Sequence, residues 1–539
     1  MTIKTENIHQ IIDASMKSNN IPGAAVAVIM DQEVVLSMGY GRTTAEDWGV
    51  PIRPDTLFRI ASVSKLFTGT VIMMLAEKGL IDLDKTVQHY VPWFTAADPE
   101  LSKLITIRML LSHSSGLPTG DDTRFQYNEA GLMLYMKEVV PTLPILFHPG
   151  TAYSYGNHAL NIAGFVAEQV TGKPFTTIMQ DMLFEPLEMT HTTYDPLKAM
   201  TYPLALPHEK LTDGNLAISH QFYDVVASYP SYYAFSSIEE LSKFAMMHLK
   251  NGAYKDKQLL SPASVKEMRN QHSKWYNSTD GGCGISFFKE TKDGVDRYWH
   301  YGQYSSQYSS QFILVPDKGI AVIALANGEN IFQAGYEIVD ELLRGSDNET
   351  VHATEGFHGE DPDCAYFEGT YLHSYYGLME IRSESAEKYL IHNDQKFQLK
   401  QFNTHTYFAL DDKGHTAFTV GFPAPISGQN IKCIVVDSKA CPEFKRVYTP
   451  DPSDWNEWEG TFSNGIESYE VSIQEDFLII KDLQTNMDLI GRAIDKNQFL
   501  TKEYGLVSFI NIDGNVNLEF DFAWRYPQQS SHALSLSSL

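Results

Sequence analysis

Apolar and polar positions change rhythm once along this chain. Over residues 66–79, Leu66, Phe67, Val71, Ile72, Met74 and Leu75 recur at helical spacing without proline, which predicts a helix. Leu160, Ile162, Ala163, Phe165 and Val166 predict another after a loop marked by Pro149 and Gly150. Residues 309–315 and 320–326 are apolar runs separated by Pro316-Asp-Lys-Gly319 and predict a β-hairpin. Residues 331–343 place Phe332, Ala334, Ile338, Leu342 and Leu343 on one face of an amphipathic helix able to pack on a sheet. Beyond a polar, Gly-containing stretch the helical patterns nearly vanish. Short alternating runs replace them at 378–381, 389–392, 397–401, 407–410, 477–480 and 507–510.

These rhythms divide the chain into residues 1–345, a linker at 346–362 and a β-rich part at 363–539. A helix and hairpin over residues 8–40 precede a long helical section, and the last strands and helix return at 298–343. One antiparallel sheet closed from both ends of this part, with helices on its faces, satisfies the burial pattern: an α+β fold with a helical subdomain and a cleft between the two. The β-rich part contains an echo. Phe367-Glu-Gly-Thr-Tyr371 and Trp458-Glu-Gly-Thr-Phe462 are 91 residues apart, and each opens a run of strands. Two related units, about 363–450 and 451–539, or two halves of one barrel, follow.

Composition narrows the partners. The 41 Lys and Arg stand against 67 Asp and Glu, a net charge of -26 that repels nucleic acid and anionic membrane and favours a small-molecule or short-peptide substrate. No apolar run approaches the ~20 residues of a membrane span, and the N-terminus lacks a signal-peptide core, so a cytoplasmic location is expected. The four cysteines form no C-x-x-C pair and read as reduced thiols; only export would leave room for a hairpin disulfide between Cys433 and Cys441. His352, Glu355, His358, Glu360 and Asp361 read as a solvated linker rather than a metal site, and no cofactor is implied.

Candidate chemistry centres on Ser62-Val-Ser-Lys65. On a helix, residues three apart share a face, so the Lys65 amine can accept the Ser62 proton while the helix N-terminus favours developing negative charge. A second match, Ser385-Ala-Glu-Lys388, reads as an exposed turn. Tyr155-Gly-Asn157 sits where a loop enters a helix: Tyr155 can exchange a proton with Ser62, and Asn157 can accept from Lys65 or donate to a carbonyl. In His300-Tyr-Gly302, glycine lets a substrate approach the strand, and the N–H of Gln303 completes an oxyanion hole with that of Ser62. Either Lys65, neutral by burial, or Tyr155, as phenolate beside a charged lysine, can be the base; the residues do not choose.

Ser-x-x-Lys, Tyr-x-Asn and His-x-Gly, in this order, resemble the serine β-lactamase-like and penicillin-binding proteins, in particular the branch of class C β-lactamases, D-aminopeptidases and esterases. Ile21-Pro-Gly-Ala-Ala-Val-Ala-Val28, Leu110-Leu-Ser-His-Ser-Ser-Gly-Leu-Pro118 and Phe184-Glu-Pro-Leu-Glu-Met-Thr190 add to the likeness. The resemblance implies Ser62 as acyl-enzyme nucleophile, Lys65 and Tyr155 as the proton-transfer pair, Asn157 as orienter, and His300, Gly302 and Gln303 on the cleft-edge strand. That family commonly has Lys and Thr where this chain has His300 and Tyr301, and a mostly neutral imidazole holds a substrate carboxylate less firmly. The β-rich part is similar to the lipocalin-like additions of some relatives, with a role at the cleft rim or in homo-oligomer contacts. The expectation is a serine hydrolase acting on peptide or amide bonds, including ones with D-residues. A carboxylesterase or β-lactamase is the alternative, and a non-catalytic penicillin-binding sensor is the rival from another class.

Overall fold

The strand Gly23–Met30 (β1) is buried along its whole length, so it needs cover on both faces. The computed structural model describes residues 5–120, 128–210, 215–220, 223–276, 281–344, 364–374, 376–384, 387–423, 432–445, 452–463, 468–474, 477–483, 487–501, 505–512, 515–520 and 524–527. Around β1 it assembles an antiparallel sheet from Glu33–Gly41 (β2), Ser273–Lys274 (β3), Gly281–Cys283 (β4), Phe288–Lys292 (β5), Val295–Tyr304 (β6), Tyr308–Val315 (β7) and Ile320–Ala326 (β8). The order is β2-β1-β8-β7-β6-β5-β4-β3. Ala24 of β1 pairs with Ala326 of β8, so the two ends of this part of the chain meet inside the sheet.

Alternation along β1 then selects its neighbours. Ala24, Val26 and Val28 pack with Ile8 and Ile12 of the helix Thr5–Ser18 (α1) and with residues of the amphipathic helix introduced below. Ala25, Ala27 and Ile29 face the larger core of the helical section. In that core lies the helix Ser64–Glu77 (α2), buried from Ser64 through Leu75, which is why its sequence is apolar all round rather than striped. The helix Asn157–Thr171 (α3) packs beside it, and Ile331–Leu343 (α4) covers the opposite sheet face with Ile331, Ala334 and Ile338.

The β-rich part forms two eight-stranded meanders, one running from Gly369 to Pro442 and one from Gly460 to Pro527. In the first, the Phe444 N–H donates to Thr370 O at 2.8 Å and Tyr371 bridges to Glu443, so its last segment meets its first strand and the sheet closes as a barrel. The sequence echo has a packing reason. Each meander is preceded by a 3₁₀ turn, Cys364–Phe367 or Pro452–Trp458, whose terminal aromatic is buried. Phe367 packs on Phe422, and Trp458 stacks on Phe509 with centroids 4.9 Å apart. The glycine two residues after each aromatic, Gly369 or Gly460, has φ of +147° or +139°, a backbone that side chains other than glycine's rarely adopt.

Two apolar seams join these parts in series. Leu146, Phe147, Ala152 and Tyr276 of the helical and sheet region meet Cys433, Val435 and Ala440 of the first barrel. Leu372 of that barrel meets Ile494 and Leu506 of the second meander. The thiols Cys283, Cys433 and Cys441 are free and buried. Cys433 pairs with Pro442 while Ile434 pairs with Cys441, so the hairpin turns Cys433 into the seam and Cys441 into the barrel core. That opposition removes the hairpin disulfide from consideration. The linker at 346–362 with its His352 to Asp361 cluster, and Ser385, lie outside the described residues. Among the described residues no helix is long and apolar enough to cross a membrane.

The first seam has a sharp steric test. A Cβ at Gly421 would stand 2.2 Å from Cγ of the Tyr276 ring. Gly421→Ala is expected to lower stability by about 1–3 kcal/mol in urea unfolding and to expose the 433–442 hairpin to proteolysis, whereas Gly414→Ala, strained only in its own turn (φ +80°) with nothing around it to strike, should leave the hairpin protected.

Candidate active site

Two segments far apart in sequence shape the turn that carries Ser62. Ala61 takes a left-handed conformation (φ 45°) at the start of a 3₁₀ turn, Ala61–Val63, that runs into α2, and the Ser64 hydroxyl donates back to Ala61 O at 2.7 Å. Ser310 of β7 reaches across to donate its hydroxyl to Ile60 O at 2.7 Å. Ser62 is thereby held, partly exposed, at the entry to a buried helix.

One helical turn later, Lys65 has no solvent exposure. Its Nζ lies 3.0 Å from Ser62 Oγ, 2.7 Å from Asn157 Oδ1 and 3.0 Å from the carbonyl oxygen of Ser231. Tyr155 donates its hydroxyl to Ser62 Oγ at 2.9 Å, and the Lys65 Nζ sits 4.9 Å from the centre of the Tyr155 ring. The expected residues Ser62, Lys65, Tyr155 and Asn157 therefore converge on one point. Asn157 is the first residue of α3, and the preceding loop aims Tyr155 back at α2.

His113 holds that loop. Its carbonyl accepts from the Ser154 N–H at 2.8 Å, its Nδ1 accepts from the Gly156 N–H at 3.3 Å, and its ring lies 4.7 Å from that of Tyr155. Burial pushes the Tyr155 phenol well above the ordinary tyrosine range, while the hydrogen bond with Ser62 opposes that shift more weakly. Burial, with Lys65 nearby, drives His113 well below the usual imidazole value.

The cleft-edge strand differs in two ways from what its motif suggests. His300 has no solvent exposure; its ring stacks on Phe288 at 4.4 Å, and its Nδ1–H donates to Tyr301 O at 2.6 Å. Burial, then the neighbouring Lys65, lowers it to about 3, so a neutral imidazole packs beneath the cleft instead of offering a charge at its surface. Gly302 is demanded by the protein's own backbone rather than by a substrate: a Cβ there would lie 2.4 Å from Ser310 Oγ, 2.5 Å from Ile60 O and 2.8 Å from the Ser62 N. β5 pairs with β6 only as far as Trp299, so among the described residues Tyr301, Gly302 and Gln303 lie on an edge of β6 without a strand neighbour on that side. Gln303 itself is exposed.

Arg59 is the functional neighbour that sequence reasoning passed over. It is 1% exposed, its Nη2 donates to Tyr223 O at 2.5 Å, and its guanidinium stands 4.8 Å from the Tyr233 ring, 4.9 Å from Phe235 and 5.0 Å from Tyr304. It thus ties the strand before Ser62 to the end of β6. It lies three residues before Ser62 in the sequence, but its aromatic partners are distant in the chain. A cavity of about 440 Å³ opens beside Tyr155, walled by aromatic residues and by the first barrel's 433–442 hairpin.

Residues 8–340 match the Beta-lactamase family. The chain belongs to that family, one of serine hydrolases. It is 30% identical over 350 residues to Penicillin-binding protein 4 of Amycolatopsis lactamdurans, covering 61% of this chain and 87% of that protein. It is 26% identical over 328 residues to Protein flp of Staphylococcus aureus (strain MW2), covering 60% of this chain and 63% of that protein's length. The octameric penicillin-binding protein homologue from Pyrococcus abyssi shares the fold over 97% of this chain and 99% of its own, with TM-score 0.54 and 19% identity. SurE, solved with D-Leu, matches 81% of this chain and 99% of its own, with TM-score 0.59 and 19% identity. The β-lactamase/transpeptidase fold follows, with the β-rich part added to it.

The buried imidazoles carry a pH signature. His113, His248 and His300 are held neutral in the folded state and protonate below about 6.5 once unfolded. The unfolded chain then binds more protons, so stability from these groups is present above about pH 6.5 and is lost as pH falls, for His300 down to about 3. Urea unfolding at stepped pH should show that loss, with a flatter slope in His300→Gln. A second expectation concerns Gly302. Gly302→Ala should slow acylation of Ser62 by about a hundredfold in single-turnover kinetics by displacing the Ser62 turn.

Proposed function

We propose that the protein hydrolyses peptide or amide bonds, including bonds in D-amino-acid-containing peptides, through an acyl-enzyme on Ser62. The observation that carries this reading is the convergence of Lys65, Tyr155 and Asn157 on Ser62 within hydrogen-bonding distance. In its neutral form Lys65 has N–H groups for the Ser231 and Asn157 oxygens and a lone pair for the Ser62 hydroxyl. Burial keeps Tyr155 protonated, so Lys65 is the base and Tyr155 the acid.

As the Ser62 Oγ–carbon bond forms and the carbon–nitrogen bond breaks, the Ser62 proton passes to Lys65 and the Tyr155 proton to the departing nitrogen. Return of the Lys65 proton to Tyr155 restores both, and water then releases the acid and regenerates Ser62. The N–H groups of Ser62 and Gln303 receive the developing oxyanion. The unpaired edge of β6 suits an extended peptide added as a further strand. SurE, known with D-Leu, supports D-configured residues, and the octameric Pyrococcus homologue supports assembly of this chain into homo-oligomers.

Ser62→Ala should abolish covalent labelling by a fluorophosphonate or a penicillin while changing stability by no more than about 0.5 kcal/mol. Tyr155→Phe should retain the fold and slow acylation by about 10²–10⁴-fold in stopped-flow labelling. An unchanged rate in Tyr155→Phe would remove Tyr155 from the proton path.

A further inference from the structure

The cavity beside Tyr155 has a composition that the acyl-transfer chemistry does not explain. Beyond Tyr155, its wall is built by Trp275, Phe288, Trp299 and Tyr301. These rings brace one another: Trp275 and Phe288 lie 5.4 Å apart, Phe288 and Trp299 4.8 Å, and Trp275 and Trp299 5.7 Å, all near edge-to-face. A braced wall of this kind keeps its shape when empty. At about 440 Å³ the space is large enough for an aromatic amino-acid residue.

The opposite wall comes from the first barrel. Its strands Cys433–Val436 and Lys439–Pro442 are joined by a two-residue turn, Asp437-Ser438, with φ of 46° and 69°, the geometry of a type I′ hairpin. Asp437, Ser438 and Lys439 all line the cavity. The tip is pinned: Asp437 Oδ1 accepts from the Thr419 N–H at 2.8 Å and from the Thr419 hydroxyl at 3.0 Å. At its base, Cys433, Val435 and Ala440 sit in the seam with Leu146 and Tyr276. The barrel therefore presents a fixed surface to the cleft.

Geometry also says which part of a substrate lies here. Lys65 is sealed behind Ser62, Asn157 and Ser231 and cannot reach an atom that departs. Tyr155 both touches Ser62 Oγ and lines the cavity, so the group it protonates leaves on the cavity side. We propose that this cavity is the leaving-group subsite and selects an amine component carrying an aromatic or large apolar side chain, with the barrel hairpin as its outer wall. The assignment rests on the acyl-enzyme reading above. His300, buried beneath the cleft, offers no charge at this point, and the aromatic wall selects by apolar contact with the side chain.

The test uses the full chain and needs no knowledge of the native substrate. Fluorophosphonate labelling of Ser62 is timed in the presence of phenylalanine amide or glycine amide, which differ only in the side chain that the cavity would take. Phenylalanine amide should protect Ser62 at a concentration at least about tenfold lower than glycine amide. Tyr301→Ala, which removes a partly exposed ring, and Lys439→Trp, which fills the cavity from the barrel side, should each bring the ratio to within about threefold. Equal protection by both amides in the unmodified protein, or an undiminished ratio in both variants, would overturn the assignment. Absence of Ser62 labelling without any amine would instead overturn the acyl-enzyme reading, and the assignment with it.

Discussion

A lysine amine without solvent contact is the constraint around which this structure is arranged. An unpartnered buried amine is costly in either protonation state, so every hydrogen-bonding position on Lys65 Nζ has to be met from within the protein. The partners come from three separate segments: Ser62 one turn earlier, Asn157 at the start of α3, and the Ser231 carbonyl from a loop more than 160 residues further on. Meeting them brings α2 and α3 together in the large core, and that packing in turn places Tyr155 over Ser62. Arg59 makes the complementary tie on the other side of Ser62, through aromatic faces.

What could be read from the sequence was what is local. The three-residue spacing of Ser62 and Lys65, the loop-to-helix entry at Tyr155, the hairpin about Gly319 and the amphipathic face of α4 each depend on neighbours within a few positions, and each is present. The repeated aromatic-Glu-Gly-Thr segment was legible for the same reason, since each copy plugs and starts its own meander. Gly302 and His300 show where local reading ends. Sequence indicates that a Cβ is unwelcome at 302, but only the fold shows that Ile60 and Ser310 are what it would strike. Sequence indicates an imidazole at 300, but only packing against Phe288 makes it neutral and sealed. The meeting of Tyr155 with a barrel turn near residue 438 leaves no periodic trace at all.

The added β-rich part is bound to the rest by apolar seams in series, with no covalent link among the described cysteines. Among the described residues of the β-rich part, those lining the cavity belong to the first barrel, which reaches it through a hairpin whose base is seam and whose tip is cavity wall. A change in the packing around Tyr276 is therefore felt at the site without any alteration of Ser62, Lys65 or Tyr155.

The pairing of β1 with β8 has a consequence for synthesis. Its permanent partner on one side, β8, is made about 300 residues after it, and until then Gly-Ala-Ala-Val-Ala-Val-Ile-Met has β2 on one edge and nothing lasting on the other. During that interval the ribosome-bound chain displays an unpaired, wholly apolar strand edge, the kind of surface that associates with other nascent chains or recruits a chaperone. A strand wholly buried in the finished molecule is thus a vulnerable one at birth.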